Sequence, residues 1–298
     1  MGFGRCDFTK IDLRPVVAWA IAASVLMGCT ANVGSVRTDR EPEPDPPEFD
    51  PANFVDPTTS TNPYHPLRPG IQWVRGGTTE VGHRKVPHQV ISTMTDVIRI
   101  IDGVPSIAML DQSTDSGEIC QVGFDYFALD KDGNVWLMGG YAEDFEGGEY
   151  TNVETAWLGT AGGGIPGILV PGVVTRTTPR WYISTSGDEA PSGAEPVAVG
   201  IDVAVAFGGF QNVVAILEGF LGAIDNEIKY YAPGVGVVLN EPQNRSLHQD
   251  HFELLNMFQL SPEGLAEVSQ VVLNMEEHAR ETAPEVYGSA PSARRARG

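Results

Sequence analysis

The sequence is poor in cysteine and in positive charge. Its 298 residues include three cysteines, Cys6, Cys29 and Cys120, and 19 lysines and arginines against 39 aspartates and glutamates. A formal net charge of −20 repels phosphate backbones, so the chain is not expected to bind nucleic acid. The same charge gives no electrostatic attraction to anionic lipid, so any membrane attachment must come from elsewhere. Enzyme signatures are also scarce. There is no Gly-x-Ser-x-Gly nucleophile elbow. The Gly-rich stretch Ala161–Gly167 has no following Lys-Ser/Thr pair with which to hold a phosphate, and it is expected to be a connection. The apolar run Val16–Met27 is about half the length a membrane-spanning helix requires.

What is present points first to an address. Residues 1–14 are polar and weakly basic, carrying Arg5, Lys10 and Arg14 against Asp7 and Asp12, and the short apolar run follows. This is the build of a signal peptide, here residues 1–28. The run ends at Leu26-Met27-Gly28-Cys29, which resembles the lipobox of bacterial lipoproteins. The resemblance implies that a signal peptidase recognises Leu26, Met27 and Gly28. It also implies that a diacylglyceryl thioether forms on Cys29 and that the new amine is acylated, for example with palmitate. Two or three acyl chains give stable anchoring where one is marginal. The implied location is extracytoplasmic, lipid-anchored to the cell membrane or the outer membrane. Thr30 stands where inner-membrane retention would place Asp, which leaves the outer membrane open.

Residues 29–61 read as the lipidated cysteine and an acidic, Pro-rich tether containing Glu-Pro-Glu-Pro-Asp-Pro-Pro. Proline favours polyproline II and like charges extend the chain. With Cys6 removed and Cys29 lipidated, Cys120 has no disulfide partner and is expected to be a small buried apolar residue.

The folded region is expected to be mainly β: an antiparallel curved sheet, sandwich or partly open barrel, with one C-terminal α-helix. Gly (34) and Pro (22) are abundant, and strand-like segments recur between turn residues from about 71 to 240. Asp132-Gly133 suits a hairpin. An internal duplication is expected. Ile101–Met109 parallels Phe207–Ala215, and Asp125-Tyr126-Phe127-Ala128 parallels Lys229-Tyr230-Tyr231-Ala232, at offsets of 106 and 104. The β-rich domain spans 62–260, with related halves at about 71–141 and 180–241. Ser261 as N-cap, Pro262, and an apolar stripe through Leu265, Val268, Val272 and Met275 predict a helix over 261–281. Residues 282–298 are expected to be a disordered tail.

The motifs Pro66-Leu67-Arg68-Pro69-Gly70…Trp73, Ala128-Leu129-Asp130-Lys131-Asp132-Gly133-Asn134-Val135-Trp136 and Tyr230-Tyr231-Ala232-Pro233-Gly234-Val235-Gly236 carry a second resemblance. Across about 62–241 the chain resembles a poorly characterised group of bacterial secreted and lipid-anchored β-rich proteins. That resemblance carries over no catalytic residue.

Candidate chemistry is thin. Asp130–Asn134 begins like a calcium loop, but Tyr141 stands where the closing acid should be, so a hairpin turn is expected. His248, Asp250 and His251 collect metal-ligand types, yet no helix or strand converges them without help from elsewhere, and they are weak candidates. Glu143, Asp144, Glu146 and Glu149 surround Gly147-Gly148 and read as an exposed turn. No catalytic residue, cofactor or metal is expected. The expected function is a non-catalytic binding or scaffold module of the envelope, whose partner is a hydrophobic ligand or an envelope protein. The alternatives are a carrier of lipid or another hydrophobic ligand, and a cell-wall or glycan hydrolase. A large apolar cavity would favour the carrier, two convergent carboxylates the hydrolase, and a filled core the scaffold.

Overall fold

A computed structural model describes residues 44–81, 84–187, 189–244 and 250–296. Cys29, the residues Leu26, Met27 and Gly28 before it, and His248 lie outside the described residues.

The chain forms one large antiparallel sheet. Its strands are β1 (Phe54–Val55), β2 (Ile71–Val81), β3 (Arg84–Ile101), β4 (Val104–Asp115), β5 (Glu118–Asp130), β6 (Val135–Glu146), β7 (Glu149–Leu158) and β8 (Gly167–Val170). They continue as β9 (Trp181–Ser184), β10 (Ser192–Val205), β11 (Gly208–Phe220), β12 (Glu227–Ala232), β13 (Gly236–Pro242), β14 (His251–Gln259) and β15 (Arg294–Arg295). The helices are α1 (Pro262–Thr282) and the short α2 (Pro284–Tyr287). Strand order is β7-β6-β5-β4-β3-β2-β14-β13-β12-β11-β10-β9, with β1 on β5, β8 on β6 and β15 on β3. The order contains two four-stranded meanders, β3–β6 and β10–β13, which run the same way along the sheet and are joined through β2 and β14. The hydrogen-bonded path is open, and one isolated bridge ties the segment before β8 to the residue after β9. In that bridge Ile165 and Thr185 exchange two backbone hydrogen bonds of 3.0 Å. The fold is therefore a strongly curved, partly open barrel with a C-terminal helix.

Local chemistry explains the tight connections. Asp102-Gly103 and Ser116-Gly117 all have positive φ, as two-residue hairpin turns require, and they join β3 to β4 and β4 to β5. At the β5–β6 turn the Asp130 carboxylate accepts from the backbone of Asp132 and Asn134, from Asn134 Nδ2 and from Trp136 Nε1. Oxygens that resemble the start of a calcium loop are spent on tying the hairpin.

Strand alternation separates two faces. Ala108, Leu110, Phe124, Tyr126, Trp136 and Met138 point outward into a core closed by Val272, Met275 and Ala279 of α1. Ser261 caps α1 by accepting from Gly264 N. Their sequence neighbours Met109, Asp111, Asp125, Phe127 and Leu137 point inward to a cavity. A buried network rivets helix to sheet. Glu276 of α1 takes hydrogen bonds from Arg99 of β3 and, at 2.6 Å, from the Tyr126 hydroxyl, while the Arg99 guanidinium lies 5.2 Å from the Tyr287 ring.

Two boundaries differ from expectation. The tether does not run to residue 61, because Phe49 and Phe54 pack on Trp136 with centroids 6.0 and 5.1 Å away, and β1 pairs with β5. Asp50 and Asp56, both exposed, accept from Ala52 N and Thr58 N and cap single turns. The tail 282–298 is not disordered in its described part. Tyr287 is fully buried, and Arg295 forms three hydrogen bonds to Asp96 as β15 pairs with β3. An aromatic ring and an arginine fork supply what the small and polar residues around them do not.

Candidate functional site

The inward faces of the two meanders enclose a cavity of about 500 Å³. Its apolar surfaces include Trp73, Phe127, Tyr231 and Phe252. Set among them are two basic groups, Arg75 and Lys229, and the acids Asp111, Asp125, Asp225, Glu218 and Glu227.

Each charged group is placed by strand register. Asp111 on β4 faces Gly123, and Asp125 on β5 faces Met109, so the two carboxyls are diagonal neighbours on one face. Asp125 also faces Gly140 of β6, where an added Cβ would lie 2.5 Å from its Oδ1. The missing side chain at Gly140 is what leaves room for the carboxyl. Arg75 on β2 is held by two bonds, Nε to the Val237 carbonyl at 2.9 Å and Nη1 to Ser92 at 2.9 Å. It lies 5.8 Å from the Trp73 ring, whose Nε1 donates to Val235 O at 2.7 Å. Lys229 on β12 donates to Glu218 of β11 at 2.8 Å, and the Tyr231 hydroxyl donates to the other oxygen of the same carboxylate.

The enclosure shifts their protonation. Burial pushes Asp125 up to about 7, helped by the negative charge of Asp111 and opposed by Lys229. Asp111 is also raised by burial, against the hydrogen bond from Ser92 and the charges of Arg75 and Lys229. Burial lowers Arg75 to about 10, with Asp111 opposing. Burial opposes the charge on Lys229 too, but Glu218 and Glu227 outweigh it and raise its pKa. His65 is driven down to about 3 by burial and by Arg75 and Lys229, so its ring is neutral. Two buried polar atoms of lining residues, Asp111 Oδ1 and His65 Nε2, have no hydrogen-bond partner among the described residues. Asp125 accepts no hydrogen bond from them either, and no atom of its carboxyl is among the fully buried ones.

The residues singled out by sequence scatter. His251 is exposed on β14, opposite Thr78. Asp250, just before β14, lies 3.7 Å from His88. Glu143 is not part of an exposed turn. It is 4% exposed and accepts from the Tyr141 hydroxyl at 2.8 Å and pairs with His278 Nδ1 at 2.6 Å. Cys120 is half-buried, not fully buried, and has a histidine beside it after all, His88. None of the cavity's charged residues was singled out for chemistry in advance. The available signal was a charged residue inside an apolar strand, Asp125 between Phe124 and Tyr126 and Lys229 before Tyr230.

No protein family and no curated protein matches the sequence. Among solved structures, the chain is similar to a candidate lipoprotein of Parabacteroides distasonis ATCC 8503. The identity is 13%, the likeness covers 66% of this chain and 99% of that one, and the TM-score is 0.38. It is also similar to a candidate exported protein with a YmcC-like fold from Bacteroides fragilis NCTC 9343. Here the identity is 12%, the coverage 66% of this chain and 100% of that one, and the TM-score 0.36. No helix among the described residues is long and apolar enough to cross a membrane.

Proposed function

We propose that this chain is a lipid-anchored protein of the bacterial envelope whose β domain binds, without catalysis, a small polar ligand rich in hydroxyl or amino donors. The anchor rests on Leu26-Met27-Gly28-Cys29 and the short apolar run before it. The ligand class rests on one observation. In a cavity of about 500 Å³, five acids outnumber two bases, and both bases are already engaged by protein acceptors. What remains on offer is acceptor capacity, chiefly on Asp111 and Asp125, beside aromatic rings that suit the apolar face of a ring compound. A saccharide unit or an amino sugar has that chemistry.

An acyl chain does not. Filling the cavity with hydrocarbon would remove water from the Asp125 carboxyl and leave Asp111 Oδ1 without a partner, at about 1–3 kcal/mol for each neutral group and more for a charged one. The carrier of a hydrophobic ligand is therefore the weaker reading. The hydrolase reading has one observation in its favour, the placing of Asp111 and Asp125 on one face with Asp125 raised to about 7.

Native mass spectrometry on the gently purified chain in mild detergent tests the ligand class. The probes are neutral monosaccharides, amino sugars, a fatty acid and a phospholipid. Saturable binding of a sugar, weakened at least tenfold in Asp125→Ala, is the expected result. Retention of the fatty acid or phospholipid alone overturns it. With an oligosaccharide as an added probe, release of new reducing ends that stops in Asp125→Asn replaces the binding module with the hydrolase.

A further inference from the structure

At one end of strands β3, β4 and β5 a second group of side chains gathers, apart from the cavity-lining acids. A His88 nitrogen, an Asp115 oxygen and the Cys120 sulfur all lie within 4.8 Å of one another. Two features of the sheet put them there. His88 and Asp115 are directly opposed in the β3–β4 register. Ser113 pairs with Gln121 but Thr114 pairs with Ile119, so Cys120 is the extra residue of a bulge in β5. Bulges re-aim a side chain, and this one brings a thiol to the histidine. Asp250 Oδ2 lies on the other edge of the same ring, 3.7 Å from His88 Nε2, outside this group.

We infer that His88, Asp115 and Cys120 form a three-residue binding site for a divalent transition metal ion of the zinc class, with a fourth position left to solvent. Imidazole, thiolate and carboxylate are the donors that a borderline-soft ion selects, and calcium or magnesium would not take the sulfur. In a tetrahedral zinc site with bonds of about 2.0–2.3 Å, ligand atoms stand roughly 3.3–3.8 Å apart. His88 Nδ1 and Asp115 Oδ1 stand 2.8 Å apart and all three ligand atoms lie within 4.8 Å of one another, so tetrahedral spacing needs only side-chain adjustment. His88 and Asp115 are each less than 9% exposed, so the site is held by the sheet and not by loops.

The bland alternative is an ion pair of His88 with two aspartates beside an inert thiol. Without a metal, burial and the charge of Asp115 push the Cys120 thiol up to about 12, and the alternative is electrostatically self-consistent. It gives the bulged cysteine no task, and it predicts no response to metal. Binding would deprotonate Cys120, the proton leaving to solvent as the metal–sulfur bond forms.

The test is titration with Co²⁺ and then Zn²⁺. The protein is the full chain with Cys6→Ala and Cys29→Ala, in mild detergent, so that Cys120 is the sole thiol. The expected result is one equivalent of Co²⁺ with a sulfur-to-cobalt charge-transfer band and tetrahedral visible bands, displaced by Zn²⁺. Cys120→Ser should lose the charge-transfer band, and Asp115→Asn should weaken Zn²⁺ at least tenfold. Absence of the band, or its survival in Cys120→Ser, overturns the site. A measurement on the unaltered site covers the case of a variant that fails to fold. Saturating Zn²⁺ should slow alkylation of Cys120 at least tenfold, and an unchanged rate overturns the proposal.

Discussion

Asp125 of β5 and Lys229 of β12 face the same cavity from the two meanders, and each influences the protonation of the other. They also occupy matching places in Asp125-Tyr126-Phe127-Ala128 and Lys229-Tyr230-Tyr231-Ala232, 104 residues apart. Opposite charges at matching positions bring a partly compensated pair into an enclosed space.

That enclosure sets a pH dependence. The folded-state pKa of Asp125, about 7, lies above its ordinary value of 3.8. The contribution of its protonated form to stability is therefore complete below about pH 4 and is lost as pH rises through about 7. Asp125→Asn cannot ionise. The variant should match the wild type in stability near pH 4 and exceed it above pH 7, by up to ~4 kcal/mol. Urea unfolding at pH 4, 6 and 8 measures the difference. A constant difference across that range rules the account out.

The buried pair beneath α1 predicts a large loss. Arg99→Met leaves Glu276 charged in the core, with only the Tyr126 hydroxyl bound to it. The expected cost is about 3–5 kcal/mol, read as a lowered urea midpoint at unchanged slope. The double variant Arg99→Met with Glu276→Leu should recover part of it.

Removal of residues 284–298 should also destabilise. It strips the Tyr287 ring from Phe124 and Tyr141, whose centroids lie 6.3 and 5.6 Å away, and its hydroxyl from the Gly140 carbonyl. The expected loss is at least ~3 kcal/mol, visible as a drop in Tm. A disordered tail would come off without effect.

At the other end of the chain, Phe54→Ala should cost roughly 1–3 kcal/mol, because the ring is half-buried against Trp136. Tryptophan fluorescence should shift with it. A spacer with no contact to the domain would show neither change.

For anchoring, Cys29→Ala should move the protein from the membrane fraction to the soluble fraction after processing. Retention of the processed variant in the membrane would remove the lipid from the account.

Much of the architecture could be read in advance, because turns and helix caps are local. Ser261, Pro262 and the stripe through Val272 and Met275 mark α1, and Asp132-Gly133 marks the β5–β6 hairpin. The inner and outer faces could not be told apart. In Phe124-Asp125-Tyr126-Phe127 both faces are covered, one by α1 and one by the barrel, so the two-residue period that would separate them is absent. Strand β14 was missed because His251-Phe252-Glu253-Leu254-Leu255 has no β-branched residue and suits a helix as well as a strand. The sites were harder still. Glu143 finds His278 at a separation of 135 residues, and His88 finds Asp115 and Cys120 only through strand register and a bulge. No spacing along the chain encodes such meetings.

The seat of Phe54 on Trp136 also has a mechanical side. Any tension on the chain upstream of residue 44 enters the fold through Phe49, Phe54 and the two-residue strand β1. It arrives at Trp136 on the outer face of β6, and the next residue, Leu137, lines the cavity on the inner face. A pull on that chain is thereby delivered to the wall of the cavity one residue away, so that stretching and any change inside the cavity act on the same strand.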